Sequence, residues 1–89
     1  MPHYYLHISN GIGNVRDEEG VDLPGVPDAR ERAIDGIRSI VSEEAREGRI
    51  DLAGEIVICN AAGDSLLAVP FREAFDIRLD RDPSPAGRS

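Results

Sequence analysis

Lysine and tryptophan are absent from this chain, and cysteine occurs only once in its 89 residues. A single cysteine cannot form an internal disulfide, so we expect a reducing, cytoplasmic setting. All ten basic residues are arginine and stand against 17 acidic ones, which leaves a net charge of −7. Binding to a nucleic-acid backbone needs a clustered positive patch that displaces counterions. The charge balance therefore argues against a nucleic-acid partner.

Long hydrophobic runs are also missing. No apolar stretch approaches the ~20 residues that cross a bilayer, and the first residues lack the basic and apolar regions of a signal peptide. We therefore expect neither a membrane partner nor export. The length fits one small domain, which we place at residues 1–79. The remaining residues 80–89 contain Pro83, Pro85 and Gly87, and they are predicted to form a disordered tail.

Two pairs of strands are predicted from alternating apolar residues. Residues 3–9 alternate and are followed by a loop rich in Gly and Asn, so a short return strand is expected near residues 12–17. A second hairpin is expected from strands at residues 55–59 and 65–69. Pro70 ends the last strand or places it at a sheet edge, because proline has no N–H to donate.

One amphipathic helix is predicted between the hairpins, at residues 28–47. Pro27 suits a first helical turn, and Asp28 with Glu31 has the spacing of a capping box. Apolar residues then form one stripe wide enough to lie on a sheet: Ala29, Ala33, Ile34, Ile37, Ile40, Val41 and Ala45. Gly36 lies at the edge of this stripe and is interpreted as a place where another backbone comes close. The fold class is therefore α+β, with the order ββαββ and the helix on one face of an antiparallel sheet.

Candidate metal or phosphate sites are weak. His3 and His7 lie about 13 Å apart along a strand, which is too far for two ligands of one ion. The acidic residues 17–19 lack the pattern of a calcium loop and are interpreted as a solvated turn. Residues 11–13 have a G-x-G core but no helix start behind it. We therefore assign no metal and no cofactor.

No catalytic motif stands out either, so we expect a protein that is not an enzyme. Cys59 lies in an apolar strand and is interpreted as a small hydrophobic residue. A nucleophilic Cys59 would need a base, and His7 shares its sheet face if their strands are neighbours. A small enzyme or ligand site around these two residues is kept as an alternative. Glu44 falls inside the apolar stripe, where it either reaches water or pairs with an arginine of this chain or of a partner.

The helix is expected to leave one face of the sheet uncovered. Alternation assigns to the helix side Tyr4, Leu6, Ile8, Ile56, Ile58, Leu67, Val69 and Phe71. The opposite side, here called the open face, then displays Tyr5, His7, Val57, Cys59, Leu66 and Ala68. This face is too apolar for an ordinary wet surface, so we expect a covering layer. The loop around Pro24, the C-terminal segment, a second copy or another protein could supply it. Open strand edges offer a second route, pairing with a partner's strand.

Several short motifs together resemble a small bacterial family of unknown function, over roughly residues 2–75. They are Tyr4-Tyr5-Leu6-His7-Ile8, Asp17-Glu18-Glu19-Gly20, Leu23-Pro24 before an Ala-Arg helix, Asp51-Leu52-Ala53-Gly54 and Val69-Pro70-Phe71-Arg72. The resemblance implies a stand-alone domain with no established activity, catalytic residues or cofactor. This sequence departs from the family in having Asn14 and Asn60 where acidic turns are frequent.

A weaker similarity is to the ββαβ fold of HicB-type antitoxins. Residues 22–25 followed by an Ala-rich helix look like their passage from strand to helix, although the DNA-binding tail of those proteins is missing here. The sequence therefore predicts a protein-interaction or regulatory module that works as a homodimer. The alternative is an antitoxin-like or stress-regulatory protein that masks a basic partner with its acidic surface.

Overall fold

The fold is an antiparallel sheet with one long helix on one face, as the sequence predicts. The computed structural model describes residues 1–10 and 13–79 of the chain. Its elements are β1 (His3–Asn10), β2 (Gly13–Val15), β3 (Val21–Asp22), α1 (Val26–Arg46), β4 (Glu55–Asn60), β5 (Ser65–Pro70) and a 3₁₀ turn (Phe71–Ala74). Within these residues, no helix is long and apolar enough to cross a membrane. Residues 80–89, which the sequence predicts to be a tail, lie outside the described residues.

The two predicted hairpins lie side by side, with β1 and β4 at the centre of the sheet. The strand order is β2-β1-β4-β5, and β3 pairs with the first residues of β1. Because β4 occupies one side of β1, β2 and β3 share the other side. The return strand β2 ends at Val15 rather than near Asp17, and the brief extension at Val21 is a strand of its own. The candidate functional site lies at this interruption between β2 and β3.

The helix begins at Val26, two residues before the predicted start. Its N-cap is Gly25, which makes no side-chain hydrogen bond, so the predicted capping box at Asp28 is wrong. Pro27 does lie in the first turn, where its missing N–H leaves no bond unmade. A Cβ added at Gly36 would meet only Cδ1 of Ile56, at 3.8 Å. The expected close approach of another backbone at Gly36 is therefore also wrong.

The core lies between the helix and one face of the sheet. The predicted alternation is confirmed, since the sheet buries Tyr4, Ile56, Ile58, Val69 and Phe71 against Ala29, Ala33, Ile34, Ile37 and Val41 of the helix. Leu6, Ile8, Leu67 and Ile40 pack at its margin. Ala45, assigned to the same stripe, is exposed and borders a shallow apolar groove with Ile77 and Leu79.

The chain that follows β5 packs on the helix side of the sheet. The N–H of Phe71 donates to the carbonyl of Gly54 at 2.9 Å, and Nε of Arg38 donates to the carbonyl of Ala74 at 2.9 Å. Gly54 is tightly enclosed, because an added Cβ would lie 2.9 Å from Cβ of Asn10. Described residues that follow β5 therefore lie away from the open face.

Candidate functional site

The strand register brings five of the six predicted open-face residues together on one face. Tyr5 pairs with Cys59, His7 pairs with Val57, and Val57 pairs with Ala68. Residues paired across antiparallel strands point to the same face, so the patch spans β1, β4 and β5. Leu66 is the residue that the register skips between Ser65 and Leu67, and it is 40% exposed. These residues carry no carboxylate, and Glu55 follows on the same face at the start of β4.

Three aromatic rings form a row along β1 on this face. The rings of His3 and Tyr5 meet edge to face, with centroids 5.0 Å apart and planes at 75°. The rings of Tyr5 and His7 are nearly parallel, with centroids 6.2 Å apart and planes at 8°. Each ring in the row therefore limits the rotation of its neighbour.

The interruption between β2 and β3 is filled by the side chain of Asp17. The N–H of Leu6 faces this gap and donates to Oδ2 of Asp17 at 3.1 Å. The other carboxylate oxygen, Oδ1, accepts from the N–H groups of Gly20 at 3.0 Å and Glu19 at 3.3 Å. Burial raises the pKa of Asp17, but these three donors outweigh it and hold the pKa below its ordinary value. Asp17 therefore takes the place of a strand partner at this edge.

The same loop fixes the tautomer of His7. The backbone N–H of Asp17 donates to Nδ1 of His7 at 3.0 Å. An accepting Nδ1 carries no proton, so in the neutral ring the proton is on Nε2. Among the described residues Nε2 has no hydrogen-bond partner, which leaves it available as a donor.

His3 is tied to the far side of the loop. Its Nδ1 lies 2.6 Å from Oδ1 of Asp22, and its Nε2 lies 2.8 Å from the carbonyl oxygen of Glu19. Both partners are acceptors, so both bonds form only when the ring is protonated. The bond to Asp22, followed by the bond to Glu19, raises the pKa of His3.

A cavity of about 580 Å³ opens over β1, between the loop and the turn after β4. Its lining includes Tyr5, His7, Arg16, Cys59 and Asn60. The hypothesis that Cys59 and His7 share a face is confirmed, because β1 and β4 are neighbours. The Cys59 thiol is buried, and its Sγ lies 3.9 Å from Oγ of Ser65.

The remaining candidates are Glu44, a metal site and the G-x-G loop. Glu44 pairs with an arginine of its own chain, Arg49, at 3.8 Å, while its Oε1 is buried without a hydrogen-bond partner. In the described part of the chain, no group of three or more His, Cys, Asp or Glu side chains is placed to hold a metal ion. Gly11 and Ile12, in the G-x-G loop, lie outside the described residues.

Sequence reasoning missed the role of Asp17. The acidic turn was expected to be solvated throughout, but the Asp17 carboxylate turns inward to three backbone donors. The signal was the spacing Asp-x-x-Gly, because an Asp side chain commonly accepts from N–H groups two and three residues later. Gly20 completes the turn with a φ of +70°.

Fold and site together define a small α+β domain with one face of its sheet under a helix and the other face open. The chain belongs to a family described as a domain of unknown function, DUF6894, whose family model matches residues 3–72. This match confirms the resemblance to a family of unknown function. No curated protein matches the chain significantly, and no solved structure does.

Proposed function

We propose that this domain is a non-enzymatic protein-interaction module whose open face is the contact surface for a second copy of the chain. The observation that carries this proposal is the patch of Tyr5, His7, Val57, Cys59, Leu66 and Ala68. It spans three strands and is partly exposed, with Cys59 buried, Tyr5, His7 and Val57 half-buried, and Leu66 and Ala68 exposed. An apolar sheet face of this kind is typical of a surface that packs against another layer.

The chain's own candidate covers lie elsewhere. Leu23, next to Pro24, packs against the helix-side core. Phe75 packs there as well, and Ile77 and Leu79 border the helix groove. These described residues lie on the helix side of the sheet, which supports another molecule as the covering layer of the open face.

Charge favours a second copy as that molecule. Each copy carries a net charge of −7, so two copies repel each other least where few carboxylates meet, as at the centre of this face, with Glu55 at its margin. Two such faces can stack about 10 Å apart, as the sheets of a sandwich do. The contact is isologous, since both copies use the same patch, and it closes on itself.

Light scattering on two matched valine variants tests this contact. Val57→Arg places a charge at the centre of the open face and is expected to halve the mass of the assembly, measured against 9.7 kDa for one chain. Val15→Arg is the control, because Val15 pairs with Ile8, whose side chain packs against the helix-side core. Val15 is also 58% exposed. A mass that Val57→Arg leaves unchanged would contradict the proposal.

The antitoxin-like alternative differs in how it depends on salt. An acidic surface that masks a basic partner binds through charge, so its affinity falls as ionic strength rises. An apolar contact between open faces keeps its affinity, or gains, in high salt. An assembly mass that is kept at high salt therefore supports the apolar contact, whereas a mass that falls with salt shows a contact made through charge.

A small-molecule site is the second candidate function, and the cavity beside His7 and Cys59 favours it. If the Nε2–H of His7 donates to the Cys59 thiolate and stabilises it, alkylation of Cys59 proceeds at neutral pH and slows at least about tenfold in His7→Gln. Phe71→Leu, a substitution on the helix side of the sheet, is the control. It shows how far a change in local unfolding alone alters the alkylation rate of Cys59. Equal alkylation rates in the wild type and His7→Gln leave Cys59 as a packing residue.

A further inference from the structure

The strand β5 forms one edge of the sheet and carries no charged residue along Ser65–Pro70. Edge strands are usually protected by charges, because their free N–H and C=O groups pair readily with other strands. The opposite edge is protected here, since the Asp17 loop interrupts it between β2 and β3. In the described part of the chain, β5 is thus the long edge left open.

The register shows which groups of β5 point outward. The N–H of Phe71 donates to the carbonyl of Gly54, so these two residues form a hydrogen-bonded pair at the end of the β4–β5 ladder. Such pairs alternate with pairs whose backbone groups point away from each other. Counted back from Phe71 through the register, Val57 and Ala68 form a pair whose backbone groups point away from each other. The N–H and C=O of Ala68 therefore point away from β4, at the open edge.

Ala68 is well suited to strand pairing. It is exposed, its side chain is small, and by the register its N–H points away from β4. Pro70 faces outward by the same alternation but has no N–H to donate. The register shift at Leu66 ends the regular ladder on the other side. Ala68 is therefore the position on this edge that offers both a donor and an acceptor.

We propose that β5 pairs antiparallel with β5 of a second copy, about a two-fold axis that passes beside Ala68. The two Ala68 residues then exchange both of their backbone hydrogen bonds. This inference goes beyond the proposed function, because it uses the sheet edge rather than the open face. The pairing extends the sheet across both copies and places their open faces side by side.

A second copy fits this edge better than a foreign strand because the edge is self-complementary. With Ala68 opposite its own counterpart, Leu67 lies opposite Val69 of the other copy, and both residues belong to the helix side. No charge faces a like charge in this register. The two-fold pairing uses the β5 edge of both copies, so this contact closes at two copies and does not propagate into a fibre.

The test is run in the Val57→Arg background, where stacking of open faces is already broken. Light scattering there is expected to give twice 9.7 kDa, and adding Ala68→Pro is expected to give a single chain. Proline removes only an N–H that β4 does not use, so the ladder within the chain stays intact. Amide circular dichroism confirms that the double variant is folded.

A second substitution covers the case in which Ala68→Pro does not fold. Ala68→Glu places two carboxylates opposite each other at the axis and is expected to give the same single chain. Ala61→Glu, in the exposed turn after β4, is its matched control and keeps the doubled mass. A single chain already in Val57→Arg alone, or a doubled mass in Ala68→Glu, would overturn the edge contact.

These outcomes separate the two proposals. If Ala68→Pro alone gives a single chain and Val57→Arg changes nothing, the open-face contact fails and the edge contact is supported. If Val57→Arg alone gives a single chain, the edge contact fails and the open-face contact is supported. If the wild type has the mass of four chains and each variant alone has the mass of two, both contacts hold.

Discussion

Each edge of the sheet has a backbone N–H that points outward, and the two edges differ in whether the chain supplies an acceptor for it. On β1, the N–H of Leu6 points outward into the gap between β2 and β3. On β5, the N–H of Ala68 points outward at the opposite edge. The first is met by the carboxylate of Asp17 at 3.1 Å, whereas the second meets nothing among the described residues. One edge is closed by its own chain, and the other is open to another chain.

The difference follows from where the charges lie. The loop that closes the first edge contains Asp17, Glu18 and Glu19 and is held to β1 through His3 and His7. The strand at the second edge is uncharged from Ser65 to Pro70. An edge closed by charges keeps further strands away. The sheet is therefore extended more readily at the β5 edge.

Removing the carboxylate of Asp17 is expected to have the largest effect on the closed edge. Asp17→Ala leaves the N–H groups of Leu6, Glu19 and Gly20 without their acceptor. The free energy of unfolding is expected to fall by about 3 kcal/mol, because each bond to a charged acceptor is worth roughly 1.5–3 kcal/mol and water partly replaces the exposed ones. Urea denaturation measures it.

Asp35→Ala provides the control for this change. Asp35 is an exposed helix residue, so its replacement is expected to change stability by less than about 0.5 kcal/mol. Equal effects of the two substitutions would show that Asp17 is an ordinary surface carboxylate.

Gly20→Ala tests the turn that carries Asp17, with a smaller expected loss of about 2 kcal/mol. Gly20 has a φ of +70°, and an added Cβ would lie 2.7 Å from the carbonyl oxygen of Tyr4. Gly63→Ala is the matched control, since Gly63 has a φ of +92° but no atom within 4 Å of the added Cβ. The difference between the two melting temperatures isolates the crowding against β1 from the strain of a positive φ. Equal losses would mean that the turn can move away from β1.

Gly36 lies in the helix, away from both edges of the sheet. Gly36→Ala is expected to raise the stability of the fold rather than lower it. The added Cβ meets only Cδ1 of Ile56 at an ordinary contact distance of 3.8 Å. Alanine is favoured over glycine inside a helix by about 1 kcal/mol, so thermal unfolding should occur at a higher temperature. A lower temperature would show that the helix and sheet pack more tightly here than the distance indicates.

The smallest expected effect is the pH dependence of stability, which depends on His3 and Asp17 at the closed edge. The pKa of His3 is raised by Asp22, so its contribution is complete below the ordinary value of 6.5 and is lost as pH rises through the raised pKa. The pKa of Asp17 is lowered, so its contribution is present above 3.8 and is lost as pH falls through the lowered pKa. Melting temperatures measured from acid to alkaline pH should decline at both ends.

Asp22→Asn removes the main cause of the raised pKa of His3. It is expected to flatten the alkaline decline and to leave the acid decline in place. An alkaline decline of the same size in the variant would mean that another group titrates there.

The sequence predicted the layers of this fold well and its connections less well. Strict alternation from Tyr4 to Ile8, and again from Ile56 to Ile58, settles which side chains face the helix because the period of a strand is two. Alternation does not report which strands are neighbours, so the central pairing of β1 with β4 required the structure. The helix start was misplaced because Gly25 caps it without a side chain, and such a cap leaves no residue signature.

The site was predicted in the same uneven way. The open-face residues were assigned by alternation, and their pairing in space follows the strand order. The role of Asp17 depends on the gap between β2 and β3, where the N–H of Leu6 lacks a strand partner. That gap exists only once β3 has paired with β1, and residues far apart in the chain create it. A local pattern could show the turn but not its target.

Amide hydrogen exchange at Leu6 and Ala68 is the most direct test of the contrast between the two edges. Both amides are read in one NMR experiment on the Val57→Arg protein at several concentrations. The N–H of Leu6 should exchange slowly at every concentration, since its acceptor belongs to the same chain. The N–H of Ala68 should exchange fast in dilute solution and slow down as β5 pairs with a second copy. Fast exchange of Ala68 at all concentrations, or fast exchange of Leu6, would contradict this account.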